Sequence, residues 1–306
     1  MSSADLRLRR AGFTLIELLV AVMLSAILAT IIFQMVRGQT RFTQMQGARE
    51  EVDQNTRGAL ELITSELRAV PSAGIVSAGA TQITFRLPRV WGILCAPATS
   101  SQALAVFPPA NSTTPADLPT AAADLAANQG WGIAIQRGTT NGYQAYTING
   151  SSGAQATCDA NLGAPVDPKP VARGYTYTSL LPPSSDRGSR VFVYQTITYD
   201  AATSTDAAIP GVWLRRTNGY KSPQQQPLAG PLDTRDSLVP PLRFRYFCNG
   251  AEISPANLLT EAGRNTITAI EVQLGMMSRE STRSVQQSER DTQLIHLRNT
   301  GTVTCL

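Results

Sequence analysis

One run of residues limits what this chain can become. From 13 to 36 it reads FTLIELLVAVMLSAILATIIFQMV, and its only charge is Glu17. As a helix this run covers ~36 Å at ~1.5 Å per residue, enough to cross a ~30 Å hydrocarbon core. A short leader precedes it, with Arg7, Arg9 and Arg10 against Asp5, ending in Ala11-Gly12. Positive residues stay cytoplasmic, so the expected topology is amino terminus in and the remainder out. An ordinary secretory signal has an apolar core of ~7–15 residues and a small-x-small cleavage site. Here the run is longer, and no such site with a polar boundary follows. A plain signal anchor leaves Glu17 unexplained. A carboxylate in an apolar span costs on the order of 2.5–3.5 kcal/mol on insertion scales, so it calls for a partner of opposite charge.

Gly12-Phe13-Thr14-Leu15-Ile16-Glu17 resembles the type III signal of type IV pilins and of the pseudopilins of type II secretion. The resemblance rests on Gly, then Phe, then Glu five residues after the break, all opening an apolar helix. It implies cleavage between Gly12 and Phe13 by a prepilin peptidase that also N-methylates Phe13. It implies that Glu17 pairs with the terminal ammonium of a neighbouring subunit. Such a pair is physically reasonable, because two buried opposite charges offset each other's desolvation only together.

Beyond Arg37 and Gly38 the chain turns polar but keeps a helical stripe. Phe42, Met45, Val52, Leu60, Ile63, Leu67 and Val70 recur at three- and four-residue steps or multiples, with Thr56 and Ala59 between. Pro71 ends the pattern. One helix over 13–70 is expected, ~87 Å long, which Gly38, Gly47 and Gly58 could bend or locally melt.

From residue 82 the period shifts toward two. Strands are expected at 82–87, 131–136, 143–148, 191–199, 212–216, 242–248, 266–276 and 292–298. Val191, Val193, Gln195, Ile197 and Tyr199 share a face, as do Leu242, Phe244 and Tyr246, and Ile270, Val272 and Leu274. Strands after one long helix, without a βαβ rhythm, point to an α+β fold with an antiparallel sheet. Residues 88–190 hold 11 of the 19 prolines and an Ala/Thr/Ser-rich tract over 108–129. This stretch reads as a surface insertion, partly irregular, with Trp91, Trp131, Tyr143 and Cys158 arguing that part of it folds. From Val191 onward the order of strands is similar to J-type pseudopilins and, more closely, to PilW-type minor pilins.

The expected architecture is therefore a cytoplasmic leader at 1–12 and a transmembrane and assembly helix at 13–36. Its amphipathic second half follows at 37–70. A periplasmic β-rich head spans 71–306, with 88–190 inserted. The resemblance implies the pilin fold: a long helix packed on an antiparallel sheet. It implies a minor pilin in type IV pilus assembly, at or near the tip. A minor pseudopilin of type II secretion and a DNA-uptake pilin are the alternatives. The implied partners are the prepilin peptidase and methyltransferase, major and minor pilins, the inner-membrane assembly platform and inner-membrane lipid. The implied location is the bacterial inner membrane, single-pass, and then the pilus.

Other chemistry is sparse. Cys95, Cys158, Cys248 and Cys305 are four thiols in an expected oxidising compartment, and three pairings are open. Cys95–Cys158, stapling the insertion, and Cys248–Cys305, tying down the carboxyl end, are favoured. A single histidine, His296, leaves little room for His-based catalysis or a His-rich metal site. No phosphate loop or nucleophile elbow is present, so no enzyme activity, metal or cofactor is expected. Asp200–Asp206 and Asp233–Asp236 are acidic loop pairs without EF-hand spacing. Arg215, Arg216, Arg243 and Arg245, with Phe244, Tyr246 and Tyr220, are the candidate DNA surface, and solvated outer faces of strands are the favoured reading. Net charge is +4, half of it in the leader, which gives little support to a nucleic-acid partner.

Overall fold

A computed structural model describes residues 14–71, 73–108, 118, 130–137, 142–163, 171–179, 185–219, 227–279, 286–297 and 304–305. The chain is α+β: one long amino-terminal helix, then a β-rich head built almost wholly of antiparallel pairs. Helix α1 runs Leu15–Arg68, 54 residues. That is ~81 Å of helix. Helical structure continues through Gly38, Gly47 and Gly58. Nothing lies within 4 Å of where a Cβ would sit at any of the three, so they ease no close contact and break no turn.

The two halves of α1 meet different surroundings. Every residue from 14 to 47 is exposed. From Val52 the stripe is buried: Val52, Thr56, Ala59, Leu60, Ile63 and Leu67 face the head. Phe42 and Met45 belong to the same periodic stripe, yet they remain 58% and 40% exposed, because the head begins above them.

The head contains strands β1 Ile75–Ala78, β2 Gln82–Leu94, β3 Gln102–Phe107, β4 Trp131–Gln136 and β5 Tyr143–Gly153. Helix α2 Gln155–Leu162 follows, then β6 Val171–Tyr177, β7 Arg190–Thr203, β8 Val212–Asn218 and β9 Pro227–Ala229. Next come β10 Leu242–Cys248, β11 Ala251–Glu252, short helices α3 Pro255–Leu258 and α4 Glu261–Arg264, β12 Ala269–Met277 and β13 Ser288–His296.

The first nine strands form one sheet in the order β1-β2-β3-β6-β5-β4-β7-β8-β9, and β2 also pairs with β7. That extra pairing closes β2-β3-β6-β5-β4-β7 into a six-stranded antiparallel barrel. Its interior holds Val90, Leu94, Phe107, Ile133, Ile135, Ile148, Tyr175, Val191 and Val193. Closure removes the open edges that a sheet of this length would present to other chains. The described parts of 88–190 are therefore mostly regular structure. Strands β3 to β6 lie there, and β1, β3 and β6 extend the strand set expected from periodicity. Most of the 108–129 tract lies outside the described residues.

A second core lies below the barrel. It packs Val52, Leu60, Ile63 and Leu67 of α1 against the lower halves of β2 and β7 and against a four-stranded sheet, β11-β10-β12-β13. In that sheet Leu242, Phe244 and Tyr246 face inward beside Ile270, Val272 and Leu274, the faces anticipated from alternation.

Strand β2 serves both cores because its register shifts between Pro88 and Val90. Proline has no amide donor for the ladder, and the extra residue of a bulge turns the strand. Leu87 thereby faces the lower core and Val90 the barrel. On β7 the change falls at Gln195, whose Oε1 accepts from Arg89 Nη2 at 3.0 Å between the two cores.

Ile63 is fully buried, whereas Met45 is exposed. Ile63→Ala should cost about 2–5 kcal/mol in chemical denaturation of the full chain. Met45→Ala should change it by less than ~0.5 kcal/mol. Equal losses at both positions would show that the head grips the helix farther down than the buried stripe indicates.

Candidate functional site

The helix that carries the apolar run is also the element with an unusual surface. It is the one helix, among the described residues, long and apolar enough to cross a membrane, and none of its apolar window is buried. Leu15, Ile16, Leu18, Val22, Met23 and Phe33 all lie more than half exposed. Such a continuous apolar surface signals burial against lipid or other chains.

At its start Thr14 is the N-cap. Its hydroxyl accepts from the Glu17 amide at 3.3 Å, and its own amide donates to the Glu17 carboxylate at 3.0 Å. This capping box satisfies two of the amide donors left free at a helix start. Glu17 thus stands at the amino-terminal rim of the apolar cylinder, held on its own helix. Gly12 and Phe13, the expected cleavage and methylation residues, lie outside the described residues. So does the leader at 1–12.

The other end of α1 is locked to the head by a charge network that spacing alone did not single out. Glu66 sits within the buried stripe. Arg216 Nη2 on β8 meets its Oε1 at 2.6 Å, and Arg216 Nε reaches both carboxylate oxygens at 3.1 Å. Tyr199 on β7 donates its hydroxyl to Glu66 Oε2 at 2.7 Å. The Glu66 and Arg216 side chains are only 11% and 16% exposed. Burial, and then the Glu66 carboxylate, push the Tyr199 hydroxyl well above the ordinary phenol range. A buried ion pair adds little net stability over apolar packing. Its geometry is directional, however, so it sets the rotation and height of α1 against β7 and β8.

The cysteines are joined as Cys95–Cys158 and Cys248–Cys305. The first packs α2 on the outer wall of β3 and β6, with Val106, Ala154 and Ala172. The second holds residue 305 against the end of β10. With sequence separations of 63 and 57, each closes a loop worth up to ~4 kcal/mol in the chain-entropy account.

Three of the four arginines considered for DNA contact are held by carboxylates, and the fourth, Arg243, is exposed on β10. Arg215 meets Asp200 at 2.5 Å, Arg216 meets Glu66, and Arg245 meets Glu252 at 2.5 Å and Glu271 at 3.0 Å. Arg245 in turn holds the Glu252 carboxyl below its usual range. Phe244 and Tyr246 point into the lower core. Tyr220 lies outside the described residues. No basic-aromatic surface forms from this set.

The acidic loop pairs are likewise engaged. Asp200 faces Arg215, and Asp233 faces Arg235 at 2.8 Å, which lowers the Asp233 carboxyl from its ordinary value. Among the described residues no three His, Cys, Asp or Glu side chains come together as a metal site. His296 is exposed at the end of β13, opposite Ala269.

Residues 7–33 match the family model described as the prokaryotic N-terminal methylation motif. No curated protein and no solved structure matches the chain.

Glu66→Ala should destabilise the full chain by about 3–5 kcal/mol, because Arg216 is left charged and unpaired in a buried place. Pairing it with Arg216→Met should recover a large part of that loss. If the double variant is as unstable as the single one, packing of Glu66, and not its charge, holds the helix.

Proposed function

We propose that a chain opening with this methylation motif is a minor pilin of a type IV pilus, structural and not enzymatic. The motif supports a type IV pilin-like role in the assembly of a pilus or a secretion fibre. The observation that carries the reading is the apolar cylinder from Leu15 to Val36, wholly exposed in the single chain and carrying Glu17 as its only charge. An exposed apolar surface of that length has two solvents that suit it, a bilayer and a bundle of like helices. A precursor in the inner membrane with its head in the periplasm uses the first, and a fibre uses the second.

Glu17 connects the two. In the fibre its carboxylate meets the methylated ammonium of Phe13 on a neighbouring subunit. The capping box presents that carboxylate at the end of the helix, where a neighbour's terminus can reach it. The head is held to the helix by Glu66 and Arg216, so a pull on one moves the other. The proposed partners are the prepilin peptidase and methyltransferase, other pilins, the assembly platform and membrane lipid. The chain's proposed place is at or near the pilus tip, as the resemblance implies. A minor pseudopilin of type II secretion would use the same motif, and neighbouring secretion genes in place of minor pilin genes would select it.

Mass spectrometry of the mature protein should find an amino terminus at N-methylated Phe13. A terminus anywhere past Val36 would sink this reading. Glu17→Ala should leave cleavage largely intact and strongly reduce the amount of this subunit in sheared fibres. Normal incorporation of that variant would show that the charge pair is dispensable.

A further inference from the structure

The outer wall of the barrel, where β2, β7, β4 and β5 lie side by side, carries an aromatic strip. Strand register sets Trp91 opposite Phe192, Phe192 opposite Ala134, and Gln136 opposite Tyr143. Trp91 packs on Phe192 with ring centroids 4.6 Å apart, and Tyr143 meets Phe192 edge-on at 5.1 Å. Tyr194 continues the strip over Gly132, where a Cβ would lie 2.1 Å from the tyrosine ring. Phe192 and Tyr194 end up 1% and 5% exposed, while Trp91 and the adjacent Ile93 each remain 41% exposed. The strip thus leaves one aromatic side chain partly open on a buried aromatic base.

Arginines stand at both ends. Arg86 lies over the Tyr194 ring at 5.7 Å, and Arg190 neighbours the Tyr143 hydroxyl. Arg86 is opposite Thr196 on β7, so the two guanidiniums start ~20 Å apart at ~3.3 Å per residue. Along the strip itself the strands supply no carboxylate, and Asp200, farther along β7, is held by Arg215. Over 82–107, 130–153, 171–177 and 190–199 the sequence contains no Asp or Glu. This differs from the lower sheet, where Arg245 is bracketed by two carboxylates. The barrel also projects away from the apolar helix. No α1 residue enters its core, and Arg86 Nη1 donates to the Ala73 carbonyl just beyond the helix end.

We propose that this strip is a docking site for an acidic polysaccharide. The apolar C–H face of one sugar ring stacks on the Trp91 indole, whose π face is electron-rich. Carboxylates on flanking sugars form charge-assisted hydrogen bonds with Arg86 and Arg190. A single-stranded nucleic acid fits less well, since it binds by stacking successive bases on successive platforms and here only Trp91 is open. The strip is remote from Phe13–Val36, so its failure would leave the assembly reading untouched.

The test is titration calorimetry of the full chain in detergent micelles, at low salt, with polygalacturonate, neutral dextran and poly(dT). Polygalacturonate should bind, with dextran and poly(dT) at least tenfold weaker. Trp91→Ala should weaken polygalacturonate binding at least tenfold in protein that remains folded at the assay temperature, and Trp91→Phe should retain most of it. Arg190→Gln, a surface change, should weaken binding and flatten its salt dependence. The proposal is overturned by any of three results. These are no binding of polygalacturonate, tighter binding of poly(dT), or unchanged affinity in a folded Trp91→Ala or Arg190→Gln protein.

Discussion

The antiparallel ladder between β2 and β7 is the constraint on which the rest of the head depends. These two strands are paired from Gln82 with Asp200 to Ile93 with Arg190. Their upper halves close the barrel through β3, β6, β5 and β4. Their lower halves support β1, β8 and β9 and receive the helix. One ladder therefore belongs to two hydrophobic cores. The bulge between Pro88 and Val90 and the Arg89–Gln195 hydrogen bond mark where one core gives way to the other. Slipping β2 by one residue against β7 would turn Phe85, Leu87, Val90 and Leu94 outward together.

Charge is distributed unevenly over this framework, and the unevenness separates the proposed roles. In the lower head three arginines are matched: Arg215 by Asp200, Arg216 by Glu66 and Arg245 by Glu252 and Glu271. Those pairs set registers and leave little field at the surface. The barrel-forming stretches 82–107, 130–153, 171–177 and 190–199 carry arginines without acidic residues among them, and Asp200 lower on β7 is held by Arg215. The helix has the opposite problem, with one carboxylate in a long apolar run. Glu17, Arg86 and Arg190 are each proposed to meet something outside the single chain. For Glu17 that is a neighbouring subunit, and for Arg86 and Arg190 an anionic polymer.

Much of the fold was legible because the signals were local. The helix declared itself by a 3.6-residue stripe ending at Pro71. The strands β2, β4, β5, β7, β8, β10, β12 and β13 each showed enough alternation to be expected near their observed places. Strands β3 and β6 were harder. Gln102–Phe107 mixes alanines with larger apolar residues, and Val171–Tyr177 has Arg173 and Gly174 in its middle. Their inward faces become apolar only when both lie in the barrel wall. Nothing in the linear order singles out Glu66, whose partners Tyr199 and Arg216 are 133 and 150 residues away. The aromatic strip was scattered as Trp91, Tyr143, Phe192 and Tyr194, with nothing in the linear order to gather them.

The sequence by itself determined the long helix, the exposed apolar cylinder with its one carboxylate, and the antiparallel character of the head. Those follow from periodicity and solvation, which act over a few neighbouring residues. Only the tertiary structure decided that 88–190 contributes four strands to a barrel, that Arg215, Arg216 and Arg245 meet carboxylates, and that Trp91 stands partly open between Arg86 and Arg190. Strand closure and ion pairing depend on which distant segments meet. That choice rests on the summed burial of two cores, which no single stretch of the chain encodes.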